Sequence, residues 1–413
     1  MKDILEKTCA IVWGEPLVFL LLGTGLICTF RLSFVQLRLF SGLKKELYQR
    51  REKNGGLSQL RTVCLSLGAA MGTGNITGVA AALAAGGPGA VFWMWVSAFF
   101  GMALVFAENE LSVMFSEKKL RGPMAYLRKG LGSKALAGIF AVSCALAAFG
   151  MGGMVQVSAV RDTLPELNGK WEFLLAGGVF AGVIFVISGG AQRSGKAAQA
   201  LLPAASAVYG MICLAVILEH REKLPEVFSQ IFRSAFGLKQ ASGGALGYTV
   251  SVGIRRGIFS NEAGLGSSPI LHSAAETSCP GQQGFWSMFE VFFDTIICCT
   301  LTAVTLLCAG AGSCSEAFSQ IIGGAGKPLI CAETAVFAFC TVIGWYYCGE
   351  TALRYLFGER FTGLARVIFA GAAASGVLIS LETVWVLSDI FNALMAFPNL
   401  LGILLLSKRL KRE

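Results

Sequence analysis

The sequence predicts an all-α polytopic membrane protein, and three observations carry that expectation. Of its 413 residues, 54% are hydrophobic and only 14% are charged, with a mean hydropathy of +0.65. A soluble domain usually has about 25% charged residues, so this chain has too few polar residues to cover a water-facing surface. Apolar runs of about 20 residues recur along the chain, each long enough to cross a hydrocarbon core. Basic residues, finally, gather in alternate connections. Runs of this length argue against a β-barrel, whose spans are shorter and alternate in polarity.

Eleven spans are expected, near 16–37, 60–85, 89–115, 135–160, 172–190, 198–219, 243–272, 285–310, 329–350, 364–381 and 383–406. The first follows Lys2, Asp3, Glu6, Lys7 and Glu15. It lacks the basic start and small-residue cleavage site of a signal peptide and reads as a retained helix. The second contains GAAMGTGNITGV at 68–79, where four glycines sit inside a stretch without charge from Arg61 to Glu108. The longest polar interruption, about 220–242, suits a short surface helix, and no polar segment is long enough for a separate soluble domain.

The connection after the first span carries Arg38, Lys44, Lys45, Arg50, Arg51, Lys53 and Arg61. The one after the third carries Lys118, Lys119, Arg121, Arg128, Lys129 and Lys134, and the tail ends in Lys408, Arg409, Lys411 and Arg412. Intervening connections are poorer: GGPG at 86–89 has no charge, 161–172 has Arg161 and Lys170, and 311–328 has Lys327. The exception, 220–242, mixes Arg221, Lys223, Arg233 and Lys239 with Glu222 and Glu226. This asymmetry predicts a multi-pass protein of the cytoplasmic membrane with its C-terminus in the cytoplasm and its N-terminus outside. The formal charge of +9 is then a topology signal and an attraction to anionic lipid. A nucleic-acid footprint would need those charges on one exposed domain, so no nucleic-acid partner is expected.

Thirteen cysteines lie mostly within apolar spans, without a CxxC pair, and the two histidines are His220 and His272. Cysteine as a small buried apolar filler accounts for this better than a metal or disulfide framework. No Ser/His/Asp arrangement or metal set supports an enzyme, and no cofactor is expected.

The glycine-rich GTGNITG is not a nucleotide loop. Its spacing is G-x-G-x-x-x-G, no strand–helix alternation surrounds it, and no acidic residue follows about 20 residues on. A Walker loop would need a lysine after the glycines, and none is near. A second interruption, NEAGLGSSP at 261–269, lies in the seventh span. Aligning GTGN at 72–75 with GLGS at 264–267 divides the chain into two five-helix halves, 60–219 and 243–406, each opening with a broken helix. Five is odd, so the halves enter from opposite sides as an inverted repeat, the arrangement that places a transporter's site at mid-membrane. An unwound helix exposes N–H groups at one stub, which attract a carboxylate, and carbonyls at the other, which coordinate a cation. Glycine at four-residue spacing also lets helices touch, so Gly68, Gly72 and Ala80 alone would equally fit a packing face.

These residues also carry a family resemblance. GTGNITGVAAALAAGGPGAVFWMW, RGPMAYLRKGLG, RRGIFSNEAGLGSSPILHSAA, FFDTIICCTLTA and GWYYCGE, spread over about 66–358, resemble the alanine or glycine:cation symporter family. The resemblance implies the leucine-transporter fold with one extra N-terminal helix (16–37), and uptake of alanine, glycine or a related small neutral amino acid with sodium, sometimes with protons. It implies that the backbone N–H groups of Gly72, Thr73 and Gly74 bind the substrate carboxylate, with Asn75 nearby. Ser260, Asn261, Ala263 and Gly264 would meet the amino group or small side chain, Gln156 would reach the substrate, and Phe259 or Trp345 would wall the pocket. Sodium would be held by carbonyls of Gly68, Met71 and Phe337 with Cys340 and Thr341. Cys340 stands where the family usually has a hydroxyl, and a thiol is a poor ligand for a hard cation. Gly153 and Ser158 each replace an asparagine near Gln156.

Charged residues inside spans are rare and usually functional. Asp294 and Glu290, one turn apart on one helical face, are coupling or gating candidates that could share a proton or pair with Arg255 or Arg256. Glu262, at the second break, is expected to pair with Arg256 or to hold the break. Glu108 and Glu110 read as helix-end residues. The expected function is a monomeric sodium-coupled importer. The alternatives are proton coupling and a membrane amino-acid sensor that binds without turnover.

Overall fold

The computed structural model describes residues 2–48, 57–117, 120–164, 169–236, 245–275 and 280–410. Arg50, Arg51, Lys53, Lys118, Lys119, Lys239, Lys411 and Arg412 lie outside the described residues. Those described are helical almost throughout and form no strand, only an isolated bridge between Glu117 and Leu120. Helices satisfy their own backbone groups, which a hydrocarbon environment demands.

The chain opens with α1 (Lys2–Val12) and α2 (Glu15–Arg31), the latter with Pro16 in its first turn, where a missing N–H costs nothing. The expected first span, 16–37, is therefore α2 as far as Arg31, with α1 preceding it, and α2 stops short of residue 37. Ser33 and Phe34 turn left-handed at φ 52° and 56°, and the Arg38 guanidinium donates to the Leu32 carbonyl at the end of α2 at 2.8 Å, a basic cap on a helix end. After α3 (Leu39–Tyr48) come α4 (Gln59–Ala70) and α5 (Thr77–Gly86), the two halves of the first interrupted span. Then follow α6 (Gly89–Phe115), α7 (Lys134–Thr163), α8 (Gly169–Ile187) and α9 (Gly190–Glu219). The third span is bounded as expected, because Gly87 turns the chain at φ 68° just before it. α9 starts earlier than the apolar run at 198: its polar first turns meet α4, where Arg61 donates to Gln192 at 3.5 Å and, two turns on, to Gln199 at 3.1 Å.

The short helix expected in 220–242 is α10 (Leu224–Ala235), which buries Val227, Ile231 and Ala235 against α6. The second interrupted span is α11 (Ala245–Asn261) and α12 (Ser268–His272). The chain continues through α13 (Gly281–Ala309), α14 (Cys314–Ile322), α15 (Gly326–Phe357), α16 (Thr362–Ser375) and α17 (Leu381–Leu406). Among the described residues, eight helical stretches are long and apolar enough to cross a membrane. Phe19, Trp171, Phe173, Phe185 and Met211 point outward from α2, α8 and α9, a surface that suits lipid and not water.

Two features of packing position the site. α6 lies against both α11 and α13, and its contact with α11 depends on glycine. A Cβ on Gly253 would sit 2.5 Å from the Ala90 carbonyl oxygen, and one on Gly257 would collide with Ser97. Small residues four apart here do bring two helices together. α15 in turn packs on α4, α7 and α9, so it backs the first break. α7 and α13 each contain a widened turn, at Ala148–Val155 and Phe292–Cys299. Such turns shift side chains out of regular register and often mark functional positions.

Candidate functional site

The first break begins where the backbone of α4 leaves its ladder. Met71 N still donates to Leu67 O at 2.7 Å, but Gly72 N turns to Ala70 O. The Gly68 carbonyl thereby loses its regular partner and accepts from the Thr341 hydroxyl at 2.9 Å. Thr73–Asn75 form one tight turn before α5 resumes, with Thr77 Oγ1 donating to Thr73 O at 2.9 Å. Gln156 Oε1 accepts from both Thr73 N (3.0 Å) and Thr73 Oγ1 (3.1 Å). Its amide nitrogen donates to Met151 O at 3.0 Å, inside the widened turn of α7. A Cβ on Gly72 would lie 2.6 Å from Thr341 Oγ1 and 2.7 Å from Gln156 Oε1. Gly72 is glycine because two side chains occupy the space above its backbone.

The second break is shaped by its own residues. Glu262, Gly264 and Gly266 take left-handed backbone at φ 57°, 85° and 81°. That conformation costs a non-glycine residue about 1–2 kcal/mol, and two buried bonds hold Glu262 in it. Trp345 Nε1 donates to Oε1 at 2.6 Å and Ser267 Oγ donates to Oε2 at 2.5 Å. Asn261 Oδ1 accepts from Ala263 N at 3.0 Å. Asn399 donates to the Gly264 carbonyl at 2.9 Å and to Glu108 at 2.6 Å, and itself accepts from the Tyr126 hydroxyl.

Asp294 joins the two breaks. It accepts from Asn75 Nδ2 (2.8 Å), Ser260 Oγ (2.7 Å) and Thr295 Oγ1 (2.9 Å), and Asn261 Nδ2 donates to that threonine at 3.0 Å. One carboxylate on α13 is thus shared by the residue after the first unwound turn and the residues before the second. The Phe259 ring completes the contact, lying 3.3 Å from where a Cβ of Gly74 would be.

The predicted site residues sort into three groups. Gly72, Thr73, Gly74, Asn75, Gln156, Phe259, Ser260 and Asn261 come together around the two breaks. Gly68, Cys340 and Thr341 also meet, with Met71 and Phe337 in the same buried cluster. Ala263 and Gly264 do not join them: Ala263 packs on Gly101 of α6, and Gly264 faces Leu400, Leu21 and Leu104. Trp345 is fully buried against Gly152 and spends its indole on Glu262, so it supports the break from behind.

Several charge pairings differ from expectation. Glu290 pairs with neither Asp294 nor an arginine; its partners are His272, at 3.0 Å, and Ser66, at 2.7 Å. Glu262 is bonded to Trp345 and Ser267, whereas Arg255 and Arg256 approach Asp389 at 3.8 and 3.5 Å. Arg256 also stacks 4.8 Å from the Trp385 ring centre. Glu108 is no helix-end residue but fully buried on Asn399, and Glu110 is buried as well. Helical periodicity gives the face a charge occupies and not the distant residue opposite it. The departures at Gly153 and Ser158 turn toward α16 and its following turn: a Cβ at 153 would touch Ala373, and Ser158 donates to Ile379 O at 3.0 Å. Asn399, Tyr126, His272 and Asp389 were missed. Nothing in the local sequence of any of the four gives its distant partner.

An all-helical chain with membrane-length helices and two interrupted ones meeting at their unwound segments is the architecture of a polytopic membrane transporter. The chain belongs to the sodium:alanine symporter family, whose model matches residues 1–413. It is 38% identical to the sodium/alanine symporter AgcS of Methanococcus maripaludis, over 98% of this chain and 94% of that protein. It is 35% identical to the probable sodium/glutamine symporter GlnT of Bacillus subtilis, over 99% of this chain and 90% of the other. The putative sodium/proton-dependent alanine carrier protein YrbD of the same organism is 34% identical, again over 99% and 90%. The family transports and is not an enzyme class; an amino acid and sodium are its solutes.

Proposed function

We propose that this chain imports a small neutral amino acid, alanine or glycine, together with sodium, by alternating access. In this reading it works as a monomer with an extra N-terminal helix, α2 (Glu15–Arg31), ahead of five-helix inverted repeats at 60–219 and 243–406. The N-terminus lies outside and the C-terminus in the cytoplasm. The observation that carries the reading is the junction of the two breaks through Asp294, Asn75 and Ser260, beside two oxygens, Gly68 O and Thr341 Oγ1, that already lie together.

The substrate carboxylate takes the N–H groups of Gly72, Thr73 and Gly74, and Gln156 exchanges its bond to Thr73 for one to the substrate. Phe259 and Ser260 close over the small side chain and the amino group; Asn75 and Asn261 hold the two breaks in register through Asp294 and Thr295. Sodium sits among the carbonyls of Gly68, Met71 and Phe337 and the Thr341 hydroxyl, with Cys340 contributing little as a soft ligand. Access runs through a cavity of about 210 Å³ lined by Ile76, Thr77, Ala80, Asp162, Lys327 and Thr334, which opens next to the first break.

Counterflow and gradient-driven uptake in proteoliposomes test this with a panel of small amino acids. Alanine or glycine uptake driven by a sodium gradient is the expected result. Uptake unchanged when potassium replaces sodium, without a proton gradient, would overturn sodium coupling. Saturable binding without any flux would point to a sensor.

A further inference from the structure

Gln59 and Ser66 stand seven residues apart on α4, two turns, and so share one face of that half-helix. Both reach into a single buried polar network. Ser66 Oγ donates to Glu290 Oε2 at 2.7 Å, and Gln59 and Gln283 exchange amide bonds of 2.8 and 3.2 Å. His272, the last residue of α12, connects the two ties. Its Nδ1 lies 2.5 Å from Gln283 Oε1, and its Nε2 lies 3.0 and 3.1 Å from the two Glu290 oxygens. Only 1% of the His272 side chain and 6% of that of Glu290 are exposed, so bulk water supplies neither with a partner.

The donors and acceptors of this network count its protons. Nδ1 faces a carbonyl oxygen that also accepts from Gln59, so Nδ1 carries a hydrogen. Nε2 faces a carboxylate that already accepts from Ser66, so a second proton lies between Nε2 and Glu290. The pair therefore holds one proton more than a neutral imidazole beside a carboxylate would, and with it the pair is neutral overall. Without it, a lone pair faces a carboxylate and a bare negative charge is left buried, which is costly. The other groups close by do little to offset that charge. Glu262 at the second break and Cys64 on α4 lie near it and carry no positive charge to set against it. α6 contributes Asn109, bonded to Ser268 at 3.0 Å, and α15 contributes Tyr347 beside Arg121, whose guanidinium donates to Ser273 O at 2.9 Å.

We propose that His272 and Glu290 form a proton-binding site, separate from the amino-acid and sodium sites, that fastens α4 to α12 and α13. When the proton leaves to solvent, Glu290 keeps a buried negative charge with no counter-charge, and an opening in which α4 swings about the first break, parting the Ser66 and Gln59 ties, relieves that charge by admitting water. A cavity of about 10 Å³ between Ser66, Ala70, Glu290 and the second break has room for one water to carry the proton. The inference rests on the transporter reading only in taking α4 for a gate.

Amide hydrogen exchange over Gln59–Ala70, read by mass spectrometry on the full chain in nanodiscs and corrected for intrinsic pH dependence, tests it without transport. An opening that releases one proton rises by up to about tenfold per pH unit, and that slope is expected in the unmodified chain. Glu290→Gln, neutral and still able to bond Ser66 and Nε2, should flatten it. Gln59→Ala removes a tie but no titrating group; it should raise exchange at every pH and keep the slope. A flat profile in the unmodified chain, or the same slope in Glu290→Gln, would overturn the proposal. Loss of sodium-driven uptake with the slope intact would count against the transport reading and leave this one standing.

Discussion

The two interruptions do the same geometric job with opposite means. The first is held by visitors: Gln156 from α7, Thr341 from α15 and Asp294 from α13 bond to residues of the break or its edges. Its own side chains add only the Thr77 bond to the Thr73 carbonyl, and Gly72 makes room for the visitors by having none. The second is held largely from within, by Glu262, Ser267 and Asn261 and by three left-handed residues, with Trp345 as the main outside donor. A break whose bonds come from neighbours can trade them for a ligand. A break whose left-handed turns are tied by its own Glu262, Ser267 and Asn261, with Trp345 and Asn399 behind them, is the stiffer wall for the other to work against.

The largest test of this contrast is Glu262→Ala, which leaves the Trp345 N–H and the Ser267 hydroxyl buried without their acceptor. At about 1–3 kcal/mol for each stranded group, thermal unfolding in detergent should show a loss of about 3–5 kcal/mol. Glu262→Gln keeps one acceptor and should lose less than half of that. Next comes Gly72→Ala, where the new methyl meets Thr341 and Gln156. Uptake in proteoliposomes should fall about a hundredfold, equivalent to about 2.7 kcal/mol, while Gly78→Ala, with no atom near its added Cβ, should leave it unchanged. If Gly72→Ala transports normally, the first break is not a close-approach site and the contrast collapses.

Thr341→Val should raise the sodium concentration for half-maximal uptake by about tenfold, about 1.4 kcal/mol, because the Gly68 carbonyl loses its partner oxygen. The smallest effect is expected from Cys340→Ser, which offers a harder ligand beside Gly68. Half-maximal sodium should drop by less than about tenfold, and a rise would place Cys340 outside the ion's reach.

Much of this was legible in the residues alone. Apolar run lengths located eight helical stretches long and apolar enough to cross a membrane among the described residues, where eleven spans were expected, and paired glycines at 72 and 74 and at 264 and 266 marked both breaks to within a residue or two. Thr341 and Gln156 were found through resemblance, and the structure brings both to the first break. What the residues did not disclose is which buried polar groups meet. Glu290 and Asp294 share a helix face, yet the widened turn at Phe292–Cys299 and the packing of α4 and α12 send them to different partners. The first helix was misjudged for a local reason: Arg38 caps α2 from beyond its end, and hydropathy cannot register a cap.

The Arg256–Asp389 contact, at 3.5 Å, also bears on how the molecule is made. The two arginines of α11 leave the ribosome long before α17 brings their carboxylate, and Trp13, made earlier than either, donates to the Asp389 backbone at 2.6 Å. Until then two cations wait between membrane-length helices without their carboxylate, which suits transient holding at the membrane surface or by the insertion machinery. Chains cut short before Asp389 should therefore be cleared by quality-control proteases, whereas those ending just after α17 should persist. The last helix is the point at which the earliest and middle parts of the chain become one object.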